Sequence, residues 1–230
     1  MSLSLIQRRV GDVTVITCSG RIVAGDESTS LQSALDELMP FSPHILLHLG
    51  AVDFIDSAGL GLLARYLTRV QNASGSLRIC AVSAKIDDVL RITRLKAVFQ
   101  PYETEADSIA AAHYVDRSDP GLGEPDVLCV DPSEDVLAYV RQLLKEAGYR
   151  AITAANLPDA LILLKATGPR AVVIGAELRA MRGTRAADEF TRLTASGDVI
   201  ELPAGFSARD AADAATDLLD SIRRSLAARA

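Results

Sequence analysis

Short runs of β-branched and aliphatic residues alternate along this chain with stretches whose apolar residues fall at helical spacing, and that alternation narrows the fold more than any other feature. "VTVITCSG" (13–20), "HILLHLG" (44–50) and "SLRICAV" (76–82) read as strands. Between the first two, "DESTSLQSALDELM" (26–39) sets Leu31, Ala34, Leu35 and Leu38 on one helical face and stops at Pro40. In "FIDSAGLGLLARYL" (54–67) the same spacing joins Leu60, Leu63, Ala64 and Leu67, so a strand and a helix meet at Asp56-Ser57. "AKIDDVLRITRL" (84–95) and "EADSIAAAH" (105–113) predict two further helices.

"VDRSDPGLGEP" (115–125) mixes prolines, glycines and charges without apolar periodicity and reads as a linker between a domain at 1–114 and another at 126–230. Beyond it the alternation resumes. "DVLCVD" (126–131), "YRAITAA" (149–155) and "RAVVIGA" (170–176) are strands, while "EDVLAYVRQLLKEAG" (134–148) and "LPDALILLKATG" (157–168) are glycine-terminated helices. One helix is expected between Thr184 and Ser196. A last one starts at Ser207, capped with Asp210 in reach, and carries Leu218, Leu219, Ile222 and Leu226 on one face. Strands alternating with helices of these lengths imply an α/β fold with βαβ units and a mainly parallel second sheet. The absence of Trp and the scarcity of Phe and Tyr agree, since aliphatic cores suit sheets covered by helices.

The net charge of −6, with basic residues dispersed among acidic ones, argues against a nucleic-acid footprint. Arg65, Tyr66 and Arg69, and separately Arg91, Arg94 and Lys96, read as solvated faces. Cys18, Cys80 and Cys129 are odd in number and each sits in an apolar run, which predicts buried free thiols. His44, His48 and His113 lie near no acid-rich cluster, and no CxxC pair suggests a metal. No apolar run approaches a membrane span and no leader is evident, so the expectation is a cytoplasmic protein without membrane insertion. No cofactor is implied. The chain also lacks a Walker loop, a catalytic triad and a dinucleotide-binding fingerprint, which argues against an enzyme.

Ser57 stands where a serine ordinarily caps a helix. Gly59 and Gly61 follow within the first turns, where each costs up to about 1 kcal/mol relative to alanine. Something must come close to the backbone there: a neighbouring element, or a partner protein or phosphoryl group.

Over residues 4 to about 113 the chain resembles the STAS family, the fold of bacterial anti-sigma-factor antagonists. The resemblance is carried by "SGRIVAGDES", by "FIDSAGLGLL" at the strand-to-helix junction, and by "SGSLRIC" before the next strand. It implies a mixed sheet with helices on one face, and a phosphoacceptor at Ser57. A serine kinase of the histidine-kinase-like ATPase type, the anti-sigma factor, would modify that serine. The unmodified form would bind the kinase and displace a sigma factor, and a metal-dependent serine phosphatase would reverse the modification. The resemblance places Asp56, Gly59, Leu60, Gly61, Gly20, Arg21 and Asp26 at the partner surface, with Gly20 and Arg21 in a loop that lines it and Asp26 nearby.

From 126 onward the chain resembles a response-regulator receiver, a flavodoxin-like domain, through "VLCVD" and "GPRAVVIGAELRAMRG" (168–183). A receiver needs an acidic pair, an acceptor aspartate and a lysine. Here Asp131 has Pro132 beside it in place of the second acid, the acceptor position aligns with Gly175, and Leu202 replaces the lysine; Glu134, Asp135 and Glu177 come a few residues late. The resemblance therefore implies a truncated pseudo-receiver, non-phosphorylatable and kept for docking or homodimerisation. Against a switched signalling protein stand two alternatives. One is a phosphorylation-independent scaffold of a sensory assembly. The other is a true phosphorelay receiver.

Overall fold

Strand β2 (Val13–Ile22) and strand β3 (His44–Ile55) are the inner strands of the first sheet, because both are rich enough in β-branched and aliphatic residues to be covered on both sides. β1 (Ser4–Val10) lies antiparallel to β2, β3 runs parallel to β2, and β4 (Ser76–Cys80) runs parallel to β3, giving the order β4-β3-β2-β1. The sheet is mixed. The computed structural model describes residues 2–116, 126–181, 183–195, 199–203, 206 and 211–227, with the backbone alone at 113–116 and 211–213. It divides into two units, Met1–Ala112 and His113–Ala230.

In the first unit, α1 (Asp26–Leu38) buries Leu31, Ala34 and Leu35, and α2 (Ser57–Asn72) buries Leu63, Tyr66, Leu67 and Val70. They meet Ile16, Leu47 and Ile79 of the sheet in one core. Full burial of each such side chain contributes about 1.5–3 kcal/mol. α3 (Ala84–Ile92), the one-turn α4 (Lys96–Phe99) and α5 (Glu105–Asp116) follow. Two boundaries differ from the sequence reading. β3 runs five residues past Gly50, because β2 continues to offer partners through two register shifts that end with Ile22 opposite Ile55. β4 stops at Cys80, where Ala81 turns to positive φ and donates to the Tyr102 carbonyl at 3.0 Å. Of the linker expected at 115–125, residues 117–125 lie outside the described residues and 115–116 belong to the end of α5.

The second unit is α/β with four parallel strands, β5 (Val127–Val130), β6 (Ala151–Ala154), β7 (Ala171–Gly175) and β8 (Val199–Leu202), ordered β6-β5-β7-β8. α6 (Glu134–Glu146) is capped by Ser133, α7 (Leu157–Thr167) ends in left-handed Gly168, and α9 (Arg185–Thr194) is capped by Thr184. Where the receiver resemblance implies a loop after the third strand, "AELRA" forms the short α8 (Ala176–Ala180), as its strong helix formers favour. α10 (Ala211–Ala227) buries Leu218, Ile222 and Leu226, with Leu219 at the margin of the same core. The expected cap at Ser207 with Asp210 lies outside the described residues.

Cys18, Cys80 and Cys129 are buried thiols in strands, and burial pushes all three up to about 12. Tyr66 departs from the solvated face expected of it: it is buried, with its hydroxyl donating to the Gln32 carbonyl at 3.4 Å. Arg69 is held by Asp36, Arg91 by Asp88 and Lys96 by Asp87. Among the described residues no helix is long and apolar enough to cross a membrane.

Candidate functional site

The junction of β3 and α2 is built around Asp56. Its backbone is extended, and its N–H donates to the Ile22 carbonyl at 3.2 Å, which ties it to the end of β2. One carboxylate oxygen, Oδ1, accepts from the Gly59 N–H at 2.8 Å, and the other, Oδ2, accepts from the Ala24 N–H at 3.0 Å. The first bond caps α2 and the second pins the β2–α1 turn against it. These donors, Gly59 before Ala24, hold the Asp56 carboxyl below the usual aspartate range, and the Arg21 charge adds to them.

Ser57 is therefore not the cap. It is the first residue of the helix, exposed, and among the described residues its hydroxyl makes no hydrogen bond. A serine at that position with a neighbouring aspartate already capping is free to react or to be recognised.

The residues grouped with it by sequence separate into two sets. Gly59 is buried: a Cβ there would stand 2.5 Å from the Ile22 carbonyl oxygen and 2.9 Å from the Ile55 side chain, so the end of β2 itself requires the glycine. Leu60 is buried in the core. Gly20 is buried at φ +100, where a Cβ would meet the Ser2 carbonyl at 2.4 Å. Those three have internal roles. Gly61 differs, because a Cβ there would meet nothing within 4 Å and the residue is exposed.

Gly20 and Arg21 belong to β2 rather than to the following loop, which is the correction the extended pairing with β3 imposes. Arg21 is exposed beside this site, with its guanidinium carbon 5.1 Å from the ring centroid of Phe54, itself 48% exposed. Asp26 opens α1 and is exposed. The exposed set is thus Ser57, Gly61, Arg21 and Asp26, with Asp56 half-buried behind. Phe54 was missed in the sequence; its position opposite Arg21 is visible only once the strand register is known.

Residues 5–108 match the STAS domain. Solved structures that resemble this STAS domain include an anti-sigma factor antagonist from Mycobacterium paratuberculosis, 23% identical, covering 49% of this chain and 95% of its own, with a TM-score of 0.44. Two more are the anti-sigma factor antagonist SpoIIAA in its unphosphorylated form (15% identical, 48% and 97% covered, TM-score 0.41) and the Bacillus cell fate determinant SpoIIAA in the phosphorylated form (16%, 47% and 98%, 0.40).

In the second unit, outside the STAS domain, the strand ends bring Asp131, Gly175, Glu177 and Leu202 to one pocket of about 230 Å³, with Phe206 on its wall. Glu134 and Asp135 instead sit exposed in the first turn of α6. A Cβ at Gly175 would stand 2.2 Å from Asp131 Oδ2, so the Asp131 carboxylate leans into the space a side chain at 175 would take. Its other oxygen accepts from the Ser133 N–H at 2.9 Å. Burial first, and the nearby Glu177 after it, push the Asp131 carboxyl above its ordinary value. No cluster of three metal-ligating side chains occurs among the described residues.

Proposed function

We propose that the STAS domain is a phosphorylation-controlled binding module of the anti-sigma factor antagonist kind, switched at Ser57. The observation that carries this reading is the division of labour at the start of α2: Asp56 caps the helix, which leaves the Ser57 hydroxyl exposed and uncommitted. The STAS match and the D-S-A-G-L-G sequence at that junction support it. The partner is a serine kinase of the histidine-kinase-like ATPase type acting as an anti-sigma factor. In the transfer, a bond forms between Ser57 Oγ and the γ-phosphorus of ATP, the bond from that phosphorus to the bridging oxygen breaks, ADP leaves, and a kinase base takes the hydroxyl proton. A metal-dependent serine phosphatase returns the hydroxyl by hydrolysis.

The modification adds about −1.5 to −2 charge at the positive end of a helix, which tolerates an anion by about 0.3–1 kcal/mol. The fold survives. A partner surface fitted to a hydroxyl beside one carboxylate meets a dianion instead, and like-charge contact at an interface costs several kcal/mol. At ~1.4 kcal/mol per tenfold, release by about a thousandfold needs no unfolding.

For the second unit we infer a receiver-like, flavodoxin-type domain that docks or dimerises and takes no phosphoryl group. Its strand order is that of the flavodoxin-like arrangement less the last strand, which in a receiver carries the lysine, and Gly175 stands at the acceptor position. The setting inferred is the cytoplasm.

The test is affinity capture from native-host lysate on wild type, Ser57→Ala and Ser57→Asp. Retention of one kinase-type ATPase by wild type and Ser57→Ala, with loss on Ser57→Asp, is the expected outcome. Equal retention on all three would make the protein a phosphorylation-independent scaffold.

A further inference from the structure

We propose that Arg21 is the intramolecular receptor for a phosphoryl group on Ser57: it leaves the Phe54 ring and pairs with the dianion when the serine is modified. The proposal rests on the reading of Ser57 as phosphoacceptor and says what the modified surface does. Arg21 and Phe54 face each other in the β2–β3 register, one step before Ile22 and Ile55, and the chain reaches Ser57 two residues after Ile55. Three residues of extended chain span at most roughly 10 Å, a gap closed from its two ends by the long arginine side chain and the phosphoserine side chain.

The electrostatic arrangement is lopsided. Charged groups on the surrounding elements are Arg21 from β2, Asp26 and Glu27 from the first turn of α1, Asp53 from β3 and Asp56 at the junction. Arg21 is the cation of the set. Among the described residues it has no carboxylate partner, only the Phe54 ring. Asp56, whose carboxylate oxygens accept from the Gly59 and Ala24 N–H groups, feels the Arg21 charge through space and makes no direct pair with it. A guanidinium stacked on an exposed ring is a weak, readily exchanged arrangement, and a phosphate offers the planar fork two charge-assisted hydrogen bonds.

Two consequences follow for the switch. Arg21 is withdrawn from the surface offered to the partner, and Phe54 loses its cover, so modification changes the surface at two places besides Ser57. The phosphoserine also becomes easier to ionise.

The experiment uses the full chain with phosphoserine installed at 57 during translation, so the result is independent of whether any kinase modifies that residue. The second ionisation of the phosphate is followed by 31P NMR against pH. Wild type is expected to ionise at lower pH than the Arg21→Gln variant, by about half a unit, as an exposed ion pair supplies. Arg21→Lys should restore part of the difference, and added salt should shrink it. Arg69→Gln serves as the control: it removes a cation from the far end of the same helix, about 18 Å away by helical rise, and should leave the titration where it is. Identical titrations for wild type and Arg21→Gln would overturn the proposal. So would an equal shift in Arg69→Gln, which would make the effect one of net charge. Failure of the phosphoacceptor reading is seen separately, as absence of phosphate on Ser57 in protein from the native host.

Discussion

Asp56 and Ser57 are adjacent, short and polar, and either could cap the helix that follows. What separates them is Ala24, thirty-two positions earlier, whose N–H takes the second carboxylate oxygen and fixes Asp56 in place. That contact is invisible in the sequence, which is why the spacing of "DSAGLG" locates the junction but leaves open which of the two residues caps it. Asp56→Asn should keep a neutral acceptor for the Gly59 N–H but lose the bond from Ala24, whose N–H would face the amide NH2, lowering the midpoint of thermal unfolding by roughly a few degrees. The sign with pH is fixed by the depressed carboxyl: its contribution is complete above the ordinary aspartate value near about 3.9 and is lost as pH falls through the lower folded value. Melting curves of wild type and Asp56→Asn should therefore differ at pH 6 and converge in strong acid, with pH 6 and the acid limit being roughly the two ends of that window.

At the scale of the element, α2 carries two early glycines that the sequence cannot tell apart. Gly59 is demanded by the Ile22 carbonyl of β2, and Gly61 by nothing within the described chain. Gly59→Ala should destabilise by about 1–3 kcal/mol through overpacking. Gly61→Ala should stabilise by up to about 1 kcal/mol through helix propensity alone. If a partner approaches the helix at that point, Gly61→Ala should also weaken binding by on the order of tenfold, equivalent to ~1.4 kcal/mol. Denaturant titration and a binding isotherm on the same variant read both effects, and a stabilised variant with unchanged affinity would remove Gly61 from the partner surface. The elements legible in advance were those with clean periodicity: β2 to β4 with α1, α2, α3 and α5, and in the second unit β5 to β7 with α6, α7, α9 and α10. β1 escaped notice because its alternation is broken by Arg8 and Arg9 and its Ile6 is exposed. α4 is one turn long, too short to show a period.

For the whole molecule, two units with separate cores follow from two separate runs of alternating strands and helices. Their chemistry was legible unequally. Ser57 could be named from its motif, whereas the exposed pair of Arg21 and Phe54 needed the register of β2 and β3, and the Asp131 pocket needed the strand order to bring residues 131, 175 and 202 together. Because the Asp131 carboxyl is raised by burial and by Glu177, its ionised form opposes folding as pH rises from the unfolded value toward the folded one. Asp131→Asn should raise the thermal midpoint of the second unit at neutral pH, and that advantage should vanish in acid. Incubating the full chain with a small acyl phosphate and Mg²⁺ should place no phosphate on the second unit; label at Asp131 would restore the phosphorelay reading. The account as a whole turns on Ser57. Phosphosite mapping by mass spectrometry of the full-length protein from its native host, wild type beside Ser57→Ala, tests it most directly. Phosphate on Ser57 in the wild type and none on the STAS domain of the variant is the expected result; an unmodified Ser57 under every growth condition that engages the partner would contradict the switch.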